Sequence, residues 1–426
     1  MTISAFVPTP SLGPIGPRGP SSPPPLLTST LPQPPAEKGS DIRKEFLSYN
    51  PPSIGEEERS AVMETLLSPW VTTGPKTVAF EAALQDYLQA PAVVALNSCT
   101  AGLHVALLAL GVGPGDEVIV PSLTFCATAN VVEHVGARPV LVDVCPDTLT
   151  ISPEAVRAAI TRRTKVLLPV HYAGHPVDLD ELDALAERYG LAILEDAAHA
   201  VSARYKGRLI GSRPNLAAFS FYATKNLTTV EGGCLTGEQG LIDKSRIIGH
   251  HGMNRDAWKR FDRSGSWYYE VVVPGYKYNM TDMQAAIGLV QLKRLESFQK
   301  RRREVVARYS EGFQDLWALE LPVERPWAES SWHLYVLRLC TGMLRIDRNA
   351  FIEGMKARNI GTSVHYLPVH MHPFYRDKYG YRPEDNPVSA DAYERMLSLP
   401  LHAGLSDEDV DDVIQAVRDL VLSNLV

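Results

Sequence analysis

From about residue 91, short apolar runs alternate with stretches whose apolar positions recur every three to four residues. Val93–Leu96 reads as a buried strand, followed by a helix from about Thr100 to Leu110. The segment GPGDEVIVP then supplies a turn and a strand ending at Pro121, and a helix runs from about Phe125 to Val135. The series continues with strand Pro139–Val142, helix 153–160, strand Val166–Val170, helix Asp180–Tyr189 and strand Leu191–Leu194. Runs of four or five mostly β-branched residues, each followed by a helix of period 3.6, predict parallel strands covered on both faces. Beyond Thr281 the pattern changes to a long helix over 281–316, a strand Trp332–Leu339, a helix Asp347–Arg358 and a last helix Asp407–Leu420. The expected fold class is α/β: a large domain of mostly parallel sheet sandwiched by helices over 43–290, and a smaller α+β C-terminal domain over 291–426. No internal repeat is visible.

Residues 1–42 break this pattern. They are rich in Pro, Ser and Thr, with PSSPPPLLTSTLPQPP in the middle. Proline removes a backbone donor and disfavours helix before it, so a disordered tail is expected, with a mis-assigned start or a polyproline ligand as alternatives.

Composition narrows the function classes. The formal charge of the 426-residue chain is −7, with acidic and basic residues mixed and no tract suited to a phosphate backbone, so nucleic acid is not expected as a partner. The basic run Lys300–Arg303 reads as a solvated helix face. Five scattered cysteines without CxxC spacing argue against a disulfide framework or a zinc site, and no metal site is expected. No apolar run reaches the ~18 residues of a membrane span. The N-terminus also lacks the pattern of a secretory signal. A soluble, cytoplasmic protein with no membrane association is the expectation.

Three stretches carry candidate chemistry. In the first, Leu216–Leu227 followed by Glu231-Gly232-Gly233, Lys225 sits in an otherwise uncharged segment of small and apolar residues. A desolvated lysine has a lowered pKa and can form a Schiff base, although a lone lysine of this kind is more often a salt-bridge partner. In the second, Leu194–Ala200, Asp196 follows a parallel strand, where open α/β sheets bind ligands. Its carboxylate could keep a pyridine nitrogen protonated, or could cap a helix. In the third, Asn97–His104, small and hydroxyl residues span a strand-to-helix junction whose free N–H groups suit a phosphate. Neither GxGxxG nor GxxxxGK[ST] is present there, and ordinary capping is the alternative.

A phosphate cradle, an acid about a hundred residues on, and a lysine 29 positions later form an ordered set. With the segments SPWVTTGPK (68–76), ALNSCTAGLHVALLALGVGPGDEVIVPSLTF (95–125), PVHYAGHPVDLDEL (169–182), LEDAAHAVSARYKG (194–207), SFYATKNLTTVEGG (220–233), PGYKYNMTD (274–282) and GTSVHYLPVH (361–370), the chain resembles the DegT/StrS-type sugar aminotransferases from about Tyr49 to Leu420. Within that family it is most similar to the UDP-4-amino-4-deoxy-arabinose synthase type.

The resemblance implies a fold-type-I enzyme using pyridoxal 5'-phosphate, with Lys225 and Asp196 as catalytic residues. Lys225 would carry the cofactor and later move a proton, and Asp196 would pair with the pyridine nitrogen. Thr100, Ala101 and Ser220 would bind the phosphate, Phe125 would stack on the ring, and His199 would lie by the ring oxygen. Asn279 would reach the phosphate of a neighbouring subunit, implying a homodimer with shared sites. Thr73, in the turn-rich Trp70–Gly74 stretch, and His365 and Tyr366 would meet the sugar, with a structural histidine the equal alternative for His365. His250, His251 and Gly252 form a further polar cluster with similar alternatives, and Trp267-Tyr268-Tyr269 reads as core, with a base-stacking wall as the alternative. Cys99 stands where many relatives have glycine, and a small side chain is expected to fit. The implied reaction moves an amino group from L-glutamate to a keto group, at C4, of a nucleotide-linked sugar. The alternatives are a nucleotide-sugar dehydratase or deoxygenase, disfavoured because lysine is present, and a non-catalytic regulator or sensor.

Overall fold

The computed structural model describes residues 43–254 and 268–426, so the Pro-rich segment and Trp267 lie outside the described residues. Helices α1 (Glu56–Leu66) and α2 (Pro75–Leu88) precede the alternating part. It comprises β1 (Ala92–Leu96), α3 (Cys99–Ala109), β2 (Glu117–Pro121), α4 (Cys126–His134), β3 (Arg138–Val142), α5 (Pro153–Ala159), β4 (Thr164–Leu167), α6 (Leu179–Tyr189) and β5 (Ala192–Asp196). A short hairpin, β6 (Arg204–Tyr205) and β7 (Arg208–Leu209), leads to β8 (Leu216–Ser220), β9 (Gly233–Gly237) and α7 (Gln239–Gly249). The C-terminal part holds α8 (Asp282–Phe313), β10 (Leu319–Glu320), β11 (Ala328–Glu329), β12 (Tyr335–Leu339), α9 (Arg348–Ala357), α10 (Pro373–Tyr379), α11 (Pro387–Arg395), β13 (Met396–Leu399) and α12 (Asp407–Ser423).

Seven strands form the main sheet in the order β1-β9-β8-β5-β4-β2-β3. All neighbours run parallel except β9, which is antiparallel to both β1 and β8. Residues alternate between two cores, as the period of a strand requires. Val93, Ala95, Ile119, Ile193, Ala217 and Phe219 face Phe80 and Leu84 of α2 and Leu182 of α6. Val94, Leu96, Val120, Leu194, Leu216 and Ala218 face Leu103 of α3, Val131 of α4 and Ile248 of α7. Burial on both faces explains the near-continuous apolar runs. A smaller three-stranded sheet, β10-β12-β13, packs its Tyr335 and Leu337 against Tyr309 and Phe313 of α8, Phe351 of α9 and Val417 of α12.

The α/β class expected from the pattern is the one observed, with several local differences. Strand β4 ends at Leu167 rather than Val170, because Pro169 has no N–H to continue the ladder. Strand β5 continues to Asp196, whose N–H donates to the Pro169 carbonyl at 2.8 Å. Strand β12 starts at Tyr335 rather than Trp332. Trp332 has φ +47°, and His333 N–H donates to Ala173 O, so this segment pairs with the Tyr172–Gly174 turn instead. Tyr268 and Tyr269 are 50% and 44% exposed, not core; the Tyr268 hydroxyl donates to Glu270. The basic run is not uniformly solvated either. Lys300 and Arg303 are exposed, but Arg302 is buried and its Nη1 reaches the carbonyls of Leu401 (2.7 Å), Trp332 (3.3 Å) and His333 (3.5 Å). Three inward carbonyls give that one guanidinium a reason to leave water.

Candidate active site

The parallel strands and the reversed β9 bring several junctions to one end of the strands, outside the carboxyl ends of β1, β8 and β5. Gly233, the first residue of β9, lies in register with Leu96, the last of β1, and with Ser220, the last of β8. Helix α3 starts beside it, capped by Ser98, whose hydroxyl accepts from Ala101 N–H at 3.0 Å. A Cβ on Gly233 would stand 2.5 Å from Cys99 N and from Phe219 O, so only glycine lets β9 approach the helix start this closely. Thr100 is exposed in the first turn of α3, and Ser220 is half-buried, its Oγ accepting weakly from Tyr222 N–H at 3.4 Å. Nine of the eleven α3 residues are buried, so its axis, and the positive end of its dipole, is fixed against the sheet.

Asp196 ends β5, next to β8, and is buried. Thr128 Oγ1 of α4 donates to its Oδ2 at 2.8 Å, Ala198 N–H donates to Oδ1 at 3.1 Å, and the Cys99 thiol lies 3.9 Å from Oδ1. Burial pushes the Asp196 carboxyl above the usual carboxylate range, opposed by the hydrogen bonds from Thr128 and Ala198 and by the nearby Lys225. A carboxylate held this way is stabilised by a further positive group.

Lys225 lies in the loop between β8 and β9. Its side chain keeps some surface toward the cleft, but loss of hydration lowers its amine from 10.5 to about 8, against the opposing pull of Cys99 and Asp196. Nζ is 3.4 Å from His333 Nε2. His333 in turn places Nδ1 3.1 Å from Asn226 Oδ1 and packs its ring 4.4 Å from that of His199. Burial drives both imidazoles well below their ordinary value, so both are neutral. His199 Nε2 contacts the Tyr366 hydroxyl at 3.1 Å, while its Nδ1 is buried with no hydrogen-bond partner among the described residues.

Phe125 caps α4; the residue is 54% exposed, and its ring lies 5.5 Å from that of Tyr366. His365 Nδ1 contacts Ser398 Oγ at 2.9 Å, and burial lowers this imidazole to about 4. On another rim, Asn279 pairs its backbone with Leu96 and donates from Nδ2 to Thr73 Oγ1 at 2.6 Å. Its Oδ1 is buried without a partner among the described residues. Thr73 Oγ1 itself donates to Met280 O at 2.6 Å. The His250-His251-Gly252 cluster lies just past α7, where a Cβ on Gly252 would collide with the Val273 carbonyl at 1.7 Å.

The residue types fit pyridoxal phosphate. The structure supplies a helix start and a close glycine for a phosphate, a buried carboxylate for a ring nitrogen, an amine of lowered pKa, and an unpartnered ring nitrogen on His199. Sequence reasoning missed Thr128, Asn226 and His333. A hydroxyl three residues after Phe125 in an apolar helix was the only signal for Thr128. Among the described residues, no cluster of His, Cys, Asp or Glu could hold a metal ion, and no helix is long and apolar enough to cross a membrane.

The sequence pattern of the DegT/DnrJ/EryC1/StrS aminotransferase family matches residues 52–418. The chain is 51% identical over 381 residues to the spore coat polysaccharide biosynthesis protein SpsC of Bacillus subtilis, covering 89% of this chain and 98% of that one. Among solved structures, the PMP form of Spr1654, a proposed sugar aminotransferase of Streptococcus pneumoniae, matches with TM-score 0.83 and 37% identity over 88% of this chain and 99% of that one. The same protein is also solved in a PLP form. PseC of Helicobacter pylori, an aminotransferase involved in the biosynthesis of pseudoaminic acid, matches with TM-score 0.82 and 28% identity over 89% of this chain and 100% of that one.

Proposed function

We propose that this chain, which belongs to the DegT/DnrJ/EryC1/StrS aminotransferase family, transfers an amino group from L-glutamate to the C4 keto group of a nucleotide-linked sugar. Family membership makes it a pyridoxal-phosphate-dependent sugar aminotransferase; the donor, the nucleotide and the carbon are the proposed refinement. One observation carries the assignment of the centre. The enclosed Lys225 amine follows the strand adjacent to the one that ends in buried Asp196.

When bound, the cofactor supplies an electron sink and stores the amino group between half-reactions. Everything else falls to the protein. Lys225 holds the cofactor covalently and, once released, carries a proton on Nζ; an amine lowered to about 8 exchanges protons readily near neutrality. Asp196, aimed by Thr128 and Ala198, holds the proton on the ring nitrogen. Thr100, Ala101 and Ser220 would hold the phosphate, Phe125 would stack on the ring, and His199 would lie by the ring oxygen. Thr73, His365 and Tyr366 contact the sugar. Asn279 would reach the phosphate of a second copy, which makes the working unit a homodimer; a cytoplasmic location is part of the same proposal.

The test is the absorption spectrum of the purified protein with L-glutamate, for native and Lys225→Ala forms. A yellow native protein bleached by glutamate, and a colourless Lys225→Ala, support the first half-reaction; a panel of nucleotide keto sugars then identifies the acceptor. A native protein that carries no band even when supplied with the cofactor overturns the reading. A band that persists with every donor and sugar favours a sensor, and loss of a hydroxyl instead of amination favours a dehydratase or deoxygenase.

A further inference from the structure

The side chains around Lys225 include one whose protonation pattern is decided by its neighbours. Asn226 Nδ2 lies 2.7 Å from the carbonyl of Ser331, and a carbonyl can only accept, so the amide nitrogen is on that side. The amide oxygen therefore faces His333 Nδ1 at 3.1 Å. An amide oxygen also only accepts, so Nδ1 must carry a hydrogen. A neutral imidazole has one N–H, which leaves Nε2 bare, and Nε2 points at Lys225 Nζ across 3.4 Å.

We infer that His333 is a positioning residue for Lys225: its bare Nε2 accepts an N–H of the free amine and fixes the rotation of that amine in the cleft. The inference rests on the reading of Lys225 as the amine that holds the cofactor. Such an acceptor matters between the half-reactions, when the lysine is released and its flexible four-carbon stem would otherwise let it wander. A reacting amine misplaced by about 1 Å can lose ~100-fold in rate.

The surroundings make the device rigid and keep it neutral. His333 is 3% exposed, its N–H donates to Ala173 O at 2.9 Å, and Arg302 Nη1 holds the carbonyls of Trp332 and His333. Asn226 is 5% exposed and adjoins Lys225 in sequence, so the relay and its target share one loop. The titratable groups that face this corner are Lys225, His199, His365, Asp196, Cys99 and Arg302. The cations among them, together with burial, oppose a charged His333. Its neighbour His199 differs, because there the ring meets a tyrosine hydroxyl that can either donate or accept, so its tautomer is left open.

Two measurements test the inference, the first without cofactor or turnover. In 15N-histidine-labelled, cofactor-free protein, the resonances absent from His333→Gln belong to His333. They should show a protonated Nδ1 and an unprotonated Nε2 from about pH 6 to 8. An Nε2–H tautomer, or an imidazolium in that range, overturns the inference. The second is the rate of pyridoxal phosphate uptake by the cofactor-free protein as a function of pH, read by absorbance with folding checked by circular dichroism. His333→Leu should slow uptake by ~10–100-fold and move the midpoint of the pH profile. His333→Gln, whose amide can offer an acceptor, should recover part of the rate, and KM for the keto sugar should not change with either. Identical profiles in all three proteins overturn the inference and leave Lys225 in its role. Failure of the native protein itself to take up cofactor rejects the underlying reading instead.

Discussion

Replacing Lys225 by methionine should make the cofactor-free protein more stable. The folded state lowers this amine from 10.5 to about 8, with loss of hydration as the largest cause. At ~1.4 kcal/mol for each tenfold change in proton affinity, that is a cost of about 3 kcal/mol at neutral pH, reduced to about 2 by the residual contact of the side chain with water. Below pH 8 both folded and unfolded chains carry the proton and the whole cost is felt. Between about 8 and 10.5 the unfolded chain is protonated and the folded one is not, so stability rises with pH. Above 10.5 neither is charged and the cost is gone. Methionine fills a similar volume with no charge to desolvate; it loses the long contact to His333 and the attraction to Asp196, which the net lowering to about 8 already includes. Urea denaturation of both cofactor-free proteins at pH 7 and near pH 10 reads the difference. The gain for Lys225→Met should be about 2 kcal/mol at pH 7 and should shrink toward zero near pH 10. A variant no more stable than the native protein at pH 7, or a gain that does not change with pH, refutes the idea that the amine is held there at a cost to folding.

Gly233→Ala should destabilise by at least ~3 kcal/mol in urea, because the new Cβ would meet only backbone: Cys99 N and Phe219 O at 2.5 Å and Ser98 C at 2.6 Å. A loss under ~0.5 kcal/mol would show that β9 can withdraw from the helix start. Asp196→Asn keeps the shape but not the charge, and should cut turnover by ~100-fold or more while circular dichroism stays native; near-native kcat speaks against pairing with the ring nitrogen. Ser98→Ala removes the α3 cap and should lower stability by about 1 kcal/mol, read from the urea midpoint.

Much of the large sheet was legible because its strands are buried on both faces, and such runs stand out at four or five residues. Direction is another matter. Nothing in Gly233–Gly237 distinguishes a reversed strand from a parallel one, since both faces are buried in either case. The strand-end position of Asp196 was readable from the order of elements, and Lys225 stood out as the one cation in a small and apolar segment. The helper residues were not. His333 lies in an aromatic stretch that reads as strand, and only the contact of that segment with the Tyr172–Gly174 turn turns it toward Lys225. Arg302 was masked by three neighbouring cations whose side chains face other directions on the same helix, a distinction that a charge run does not carry.

Helix α8 sets a register across the molecule. Its first residue, Asp282, accepts from the N–H groups of Gly74, Lys76 and Thr77 and from the Thr77 hydroxyl, beside Thr73 and Asn279. Twenty residues on, Arg302 grips the carbonyls that flank His333, and Phe313 ends the helix in the core of the small sheet. The 32 residues span ~48 Å as one rigid rod. Adding a single residue between Asp282 and Arg302 would turn everything beyond it by ~100° and advance it ~1.5 Å. The guanidinium would then face away from His333 while both ends of the rod stayed helical. Length along this segment is therefore as constrained as any side chain in the cleft, and insertions that surface loops absorb freely would here uncouple the lysine's neighbour from its support.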